Sequence, residues 1–286
     1  MTKKPVFLLF GMQRSGNHAI KEWLLAKERF TFYNDVLSAI EWRETGENPL
    51  SEVALRHFLV SRYRSASRTF LGRQACRVLS DKMLYMALVK TRRHLITFED
   101  IPFGLSVLET GKESQDVYRL LLLRDPRNLF ASRIRKAFTF DRPQLYPREI
   151  GKRLDELREL WMENATAIIS SNSSRTVPVI FDLWFSSRRY REGLSTRLGC
   201  SQIDAGKDSV SDTFGGSSFD GLSYDGNASS MNVLNRSSQL GESERKLFDY
   251  LFEDGELAAL WTKVIESVER YSERDDLTID SSAANG

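Results

Sequence analysis

Near its start the chain carries an apolar run, Pro5 to Phe10, broken by Gly11-Met12-Gln13-Arg14-Ser15-Gly16-Asn17-His18 and followed by Ile20, Trp23, Leu24 and Leu25 at helical spacing. A continuous run that gives way to an amphipathic repeat predicts a buried strand, a turn and a helix. That junction aims backbone N–H groups and the positive end of a helix dipole at one point, which suits an anion. The two glycines have the spacing of the phosphate-binding loop of nucleotide hydrolases. That motif continues with Lys and Ser/Thr, the latter holding Mg²⁺, whereas Asn17 and His18 stand here. Arg14 can supply the charge of the missing Lys, with a fork that matches phosphate or sulfate oxygens.

A strand buried on both faces needs neighbours of the same kind, and the rest of the chain supplies them. His94 to Phe98 reads as a short strand. Val117 to Leu123, a leucine run without alternation, suits the interior of a parallel sheet. Asp125-Pro126 then starts a helix, with Asp as N-cap and Pro at the first helical position. Ile150, Leu154, Leu157, Trp161, Ala165 and Ile168 mark a long amphipathic helix, Thr176 to Phe181 a further strand, and Arg188 to Leu198 a helix stopped by Gly199. Helical periodicity also appears around Val53 to Tyr63 and Val78 to Val89. The expected fold is α/β, a doubly wound, mostly parallel sheet flanked by helices.

The expected organisation is one domain over residues 1–272, since 286 residues with 41% hydrophobic content can bury roughly three quarters of their unfolded surface. Residues 204–236 hold a long Gly/Ser/Asp-rich loop. Two helices follow, Glu242 to Phe252 and Leu257 to Tyr271, and 273–286 read as an unstructured tail. Lys+Arg 41 against Asp+Glu 39 leaves +2, too little to point to nucleic acid or an anionic membrane. Cys76 and Cys200 form no disulfide or metal pattern, and no stretch has the length of a membrane span. The short apolar run before Gly11 is no signal segment, so the expected location is the cytoplasm. Oligomeric state is not legible.

A second motif, Arg124-Asp125-Pro126-Arg127-Asn128-Leu129-Phe130-Ala131-Ser132-Arg133, lies where a buried strand runs into a capped helix. Ligands of parallel sheets collect outside the carboxyl ends of strands, so Arg124 would face the same crevice as Arg14. Together the two motifs resemble those of sulfotransferases that use 3′-phosphoadenosine 5′-phosphosulfate (PAPS). The resemblance implies a P-loop NTPase-like sulfotransferase architecture, with Arg14, Ser15, Gly16, Asn17 and His18 on the 5′-phosphosulfate. It puts Arg124, with Ser132 eight residues on, at the 3′-phosphate. Directly it covers about two dozen residues. A looser similarity runs through Val177 to Asp182 and Arg197-Leu198-Gly199. Ala19 stands where many members carry a Trp that stacks on adenine, so the adenine contact must come from elsewhere. The family's basic closing loop has only Gly215 to Gly226 and Arg236 as candidates.

The implied reaction moves a sulfuryl group in line from PAPS to an acceptor hydroxyl, on a small molecule or a glycan, with no metal. Positioned cations stabilise the charge, Arg14 among them on the leaving side. A base must take the acceptor's proton. The family places its base beyond a strand between the two motifs, which here gives Glu99 at the carboxyl end, ahead of His94 at the strand's start and His18 in the loop. Two other readings stay open on the residues alone: a P-loop kinase using ATP and Mg²⁺, and a nucleotide-binding protein without turnover.

Overall fold

The computed structural model describes residues 6–27, 30–33, 93–100, 117–140, 147–171, 175–202, 204–210 and 217–283. Strand β1 (Val6–Gly11) feeds helix α1 (Asn17–Lys27), and β2 (Phe30–Tyr33) follows. Strands β3 (Arg93–Glu99) and β4 (Val117–Leu123) come next, then helices α2 (Pro126–Phe140) and α3 (Pro147–Ser170). After β5 (Thr176–Ile180) the chain runs through α4 (Phe181–Ser186), α5 (Arg188–Arg197), three short 3₁₀ turns, α6 (Glu242–Phe252) and α7 (Glu256–Ala283). The sequence signals at Val53 to Tyr63 and at Val78 to Val89 lie outside the described residues.

Among the described residues five strands pair in parallel, in the order β2-β3-β1-β4-β5. The leucine run of β4 does what a doubly covered strand requires. Leu121 and Leu123, with Leu8 and Phe10 of β1, pack against α2, α3, α6 and α7. Leu120 and Leu122, with Phe7 and Leu9, pack on the other face against α1, α4 and α5. Successive side chains of a strand point to opposite faces, so an unbroken apolar run fills two cores at once. Trp23, Trp161 and Trp184 are fully buried at about 1% exposure or less and supply the largest side chains of these cores.

Three parts differ from the sequence expectation. Phe30–Tyr33 forms a strand at one edge of the described sheet, which its four residues were too few to announce. Phe181, expected to end a strand, instead opens the short helix α4. The last helix continues to Ala283, past Glu273 where an unstructured tail was expected. Residues 256–283 contain neither Gly nor Pro, so nothing in that polar sequence stops the helix once Leu257, Val264 and Val268 anchor its first turns.

Candidate functional site

The first motif forms a strand-to-helix loop held in a strained shape. Arg14 has φ 70 and Gly16 φ 100. The first is a conformation that costs an ordinary residue of order 1 kcal/mol, and such outliers gather at ligand clamps. The loop is tied on all sides. Ser15 N donates to Met12 O at 3.0 Å, and Gln13 N donates to Asp100 Oδ1 at 3.0 Å. Asp100 is itself ion-paired with Arg133 of α2, which also donates to Gln13 Oε1 at 3.3 Å. Asn17 Nδ2 donates to Met12 O at 3.3 Å and to Glu99 Oε1 at 2.9 Å. A Cβ on Gly11 would stand 2.3 Å from Asn17 Oδ1, so that position needs Gly for close approach.

The second motif locks onto the first. Arg124, at the carboxyl end of β4 and 6% exposed, donates through Nη1 to Arg14 O at 2.9 Å and through Nη2 to Val233 O at 2.6 Å. Its guanidinium lies 4.8 Å from the centroid of the Phe181 ring. Trp161 of α3 donates to the Arg124 carbonyl at 3.0 Å, fixing the strand end from the other core. Arg14 Nε reaches Ser132 Oγ at 3.4 Å, across 118 residues of sequence. Asp125 caps α2 as expected, accepting from Arg127 N at 2.7 Å.

These groups border one cleft of about 250 Å³. Of the residues singled out in the sequence, Arg14, Gly16, Asn17, His18, Glu99, Arg124 and Ser132 line it. Ser15 does not; it is buried, with its hydroxyl unpaired beneath the loop. Glu99 pairs in register with Gly11, at the carboxyl end of the sheet, whereas His94 pairs with Val6 at the opposite end. The sheet therefore sets Glu99 beside the loop and the His94 backbone far from it.

Positive charge dominates the cleft. Burial, then Arg133, pushes the Arg14 guanidinium below the usual arginine range, with Glu99 opposing. Burial brings Arg124 down to about 10, with Asp182 opposing and Arg236 and Arg14 adding to the shift. It stays charged at neutral pH. Burial, then Lys21 and Arg14, lowers His18 to about 4, so its imidazole is neutral at pH 7. Asp125 rises to about 6 through burial and the neighbouring Asp182, and Asp182 is raised by burial against the pull of Arg124. Buried cations that depress one another around a cleft mark a place built for an anion. Among the described residues no cluster of His, Cys, Asp or Glu could hold a metal ion.

Further residues complete the cleft, among them Arg236, Ser217 and Ser218 from the stretches that the sequence offered as closing-loop candidates. Phe181, Trp184 and Phe185 form one wall; the Phe181 ring lies 5.7 Å from Trp184 and 6.0 Å from Phe185. Lys136 of α2 also lines the cleft, and Lys207, Ser217, Ser218 and Arg236 enter from the long loop. That loop is not a free surface excursion. Asp204 takes a bidentate ion pair from Arg191 and a hydrogen bond from Trp23 Nε1 at 3.3 Å. Farther on, Asn128 holds the 3₁₀ turns, donating to Leu234 O at 3.0 Å and accepting from Arg236 N at 2.9 Å. The Gly/Ser composition concealed this because the anchors are arginine and asparagine contacts to backbone, which leave no local pattern.

No family model matches the chain, and no curated protein matches it. Among solved structures it is similar to mouse sulfotransferase SULT7A1 complexed with PAP, at 12% identity and TM-score 0.44, over 89% of this chain and 85% of that one. It is also similar to the sulfotransferase domain from the Synechococcus PCC 7002 olefin synthase, at 14% identity and TM-score 0.41, over 95% and 96%. A sulfotransferase from Alicyclobacillus acidocaldarius is similar at 15% identity and TM-score 0.42, over 95% and 97%. What this chain does is read from its own site.

Proposed function

We propose that this chain transfers a sulfuryl group from PAPS to an acceptor hydroxyl, a carbohydrate among the candidates. The observation that carries the proposal is the mechanical coupling of two anion-binding elements. Arg124, which opens the second motif, grips the backbone of Arg14 in the first, and Arg14 in turn reaches Ser132. A nucleotide with phosphates at both its 5′ and 3′ ends would engage both elements at once, which ATP would not.

In this reading the loop N–H groups, Arg14, Asn17 and His18 hold the 5′-phosphosulfate, and Arg124 and Ser132 hold the 3′-phosphate. Phe181, Trp184 and Phe185 offer an aromatic wall for adenine, which answers the absence of an aromatic residue at Ala19. The acceptor oxygen forms its bond to sulfur as the bridging bond from sulfur to the 5′-phosphate oxygen breaks. The electron pair leaves on that phosphate, where Arg14 stabilises the growing charge. Glu99, held through Asn17 at 2.9 Å, takes the acceptor's proton. Neutral His18 donates one hydrogen bond to an oxygen of the transferred group without adding a charge.

Calorimetric titration tests the proposal. The product 3′,5′-bisphosphate should bind without added metal, and ADP, with no 3′-phosphate, much more weakly. Arg124→Ala should remove roughly ten- to a hundredfold of that preference, about 1.5–3 kcal/mol for lost charge-assisted bonds. Equal affinity for the two nucleotides would overturn the assignment.

A further inference from the structure

Arg236 lies at the far end of the long loop, is 2% exposed and lines the cleft. Its Nη2 is ion-paired with Asp220 and donates to Ser217 Oγ at 3.3 Å, while its Nη1 is buried with no hydrogen-bond partner. Nearby, Arg124 Nε is buried and unpaired as well. A buried guanidinium N–H without a partner carries a desolvation penalty that a bound acceptor would relieve.

The segment that carries Asp220 is tightly built. Ser217 and Gly221 exchange two backbone hydrogen bonds, at 2.9 and 3.0 Å. Between them the Phe219 ring sits under two guanidinium groups, Arg135 at 4.6 Å and Arg236 at 4.8 Å from its centroid. Ser218 Oγ meets Ser132 Oγ at 2.6 Å. Phe219 and the backbone pair of Ser217 and Gly221 anchor the turn, so the Asp220 carboxylate, which also accepts from Ser217 Oγ at 3.1 Å, can give up Arg236 while the turn is kept.

We infer that Asp220 sets the affinity of the anion site: its carboxylate occupies Arg236 until a dianionic phosphate on the ligand displaces it. The inference rests on the nucleotide reading above only for the identity of that ligand. A phosphate at this place would take Arg236, with its spare Nη1, and the hydroxyls of Ser132 and Ser218. A ligand bearing a neutral hydroxyl there offers Arg236 nothing better than the carboxylate it already holds. Asp220 thus weakens binding of a phosphate at this corner, which must displace it, and leaves a ligand with a neutral hydroxyl there unaffected, so it holds down affinity for the doubly charged ligand.

Removing the carboxylate tests this. In Asp220→Asn the 3′,5′-bisphosphate should bind about tenfold more tightly, roughly 1.4 kcal/mol, with ADP unchanged. Asp220→Ser should behave alike, and guards against one variant that fails to fold. Asp220→Glu, which keeps the charge, should bind as the parent does. Pyrophosphate, followed by the rise in melting temperature, serves as a probe that needs no nucleotide. Unchanged or weaker binding of both probes in the two neutral variants would overturn the inference. If the parent discriminates the bisphosphate from ADP but the neutral variants gain nothing, only the inference falls. If the parent does not discriminate them yet pyrophosphate binds the neutral variants more tightly, the nucleotide reading falls and the inference stands.

Discussion

Gly16→Ala should be the most destabilising single methyl group that can be added to this protein's loop. Two independent costs meet there. At φ 100 any residue with a Cβ is strained, by about 1–2 kcal/mol on the left-handed side of the backbone map. The added carbon would also stand 2.2 and 2.3 Å from Cδ2 and Cε2 of Phe181. That ring cannot step aside, since it is 4% exposed, packed on Trp184 and Phe185 and covered by Arg124. Overpacking of this kind costs about 1–3 kcal/mol, so the sum is about 2–5 kcal/mol. Urea denaturation monitored by tryptophan fluorescence measures it directly. Phe181→Leu removes the obstructing ring edge, and in that background Gly16→Ala should cost only the backbone strain. A double-mutant cycle should therefore show coupling of about 1–3 kcal/mol. A cost below about 0.5 kcal/mol, or the same cost in both backgrounds, would show that the loop and Phe181 do not meet as described.

Two further outcomes are expected. Glu99→Gln keeps the shape and the acceptor atom for Asn17 but loses basicity, so turnover should drop about a hundred- to ten-thousandfold with bisphosphate binding intact; near-normal turnover would remove Glu99 as the base. His18, lowered from 6.5 to about 4, binds fewer protons folded than unfolded, so its contribution to stability is present above pH 6.5 and lost as pH falls toward 4. Asp125, raised from 3.8 to about 6, acts in the opposite sense, its contribution lost as pH rises through that range. In His18→Asn melting curves the acid-side loss between pH 6.5 and 4 should shrink, and an unchanged profile would refute the shift.

How much of this was legible in the sequence depends on how local the cause is. Val117 to Leu123 was read with its bounds because four consecutive leucines, Leu120 to Leu123, have one comfortable environment, the middle of a doubly covered sheet, and Asp125-Pro126 ends the strand with a cap and a fixed φ. The loop of Arg14 was legible for the same reason, since strand, glycines and helix are contiguous. Phe30–Tyr33 was not, because an edge strand of four residues carries too little pattern to separate from its surroundings. The aromatic wall was missed for a different reason. Phe181 was read as the end of the preceding strand, and the periodicity of Phe181, Trp184 and Phe185 spans a single short helix, α4, and looks like more core.

The long loop shows where reading from sequence stops. Its Gly, Ser and Asp residues describe what the backbone can do, and not what holds it. What holds it lies elsewhere in the chain: Arg191 and Trp23 on Asp204, Arg124 on Val233, Asn128 on Leu234, and Arg135 with Arg236 on Phe219. Each contact joins residues that lie between 13 and 181 positions apart in the chain. Closing such spans costs entropy that grows only slowly with length, so a few charged donors on buried carbonyls suffice to fix the segment. The same donors sit where an anion would be wanted, so the arginines that organise the loop also determine the charge of the cleft. A substitution of Arg124 or Arg236 will therefore alter stability and ligand affinity together. Asp220, which touches one of them without bearing on any buried carbonyl, is where affinity can be changed while the fold is kept.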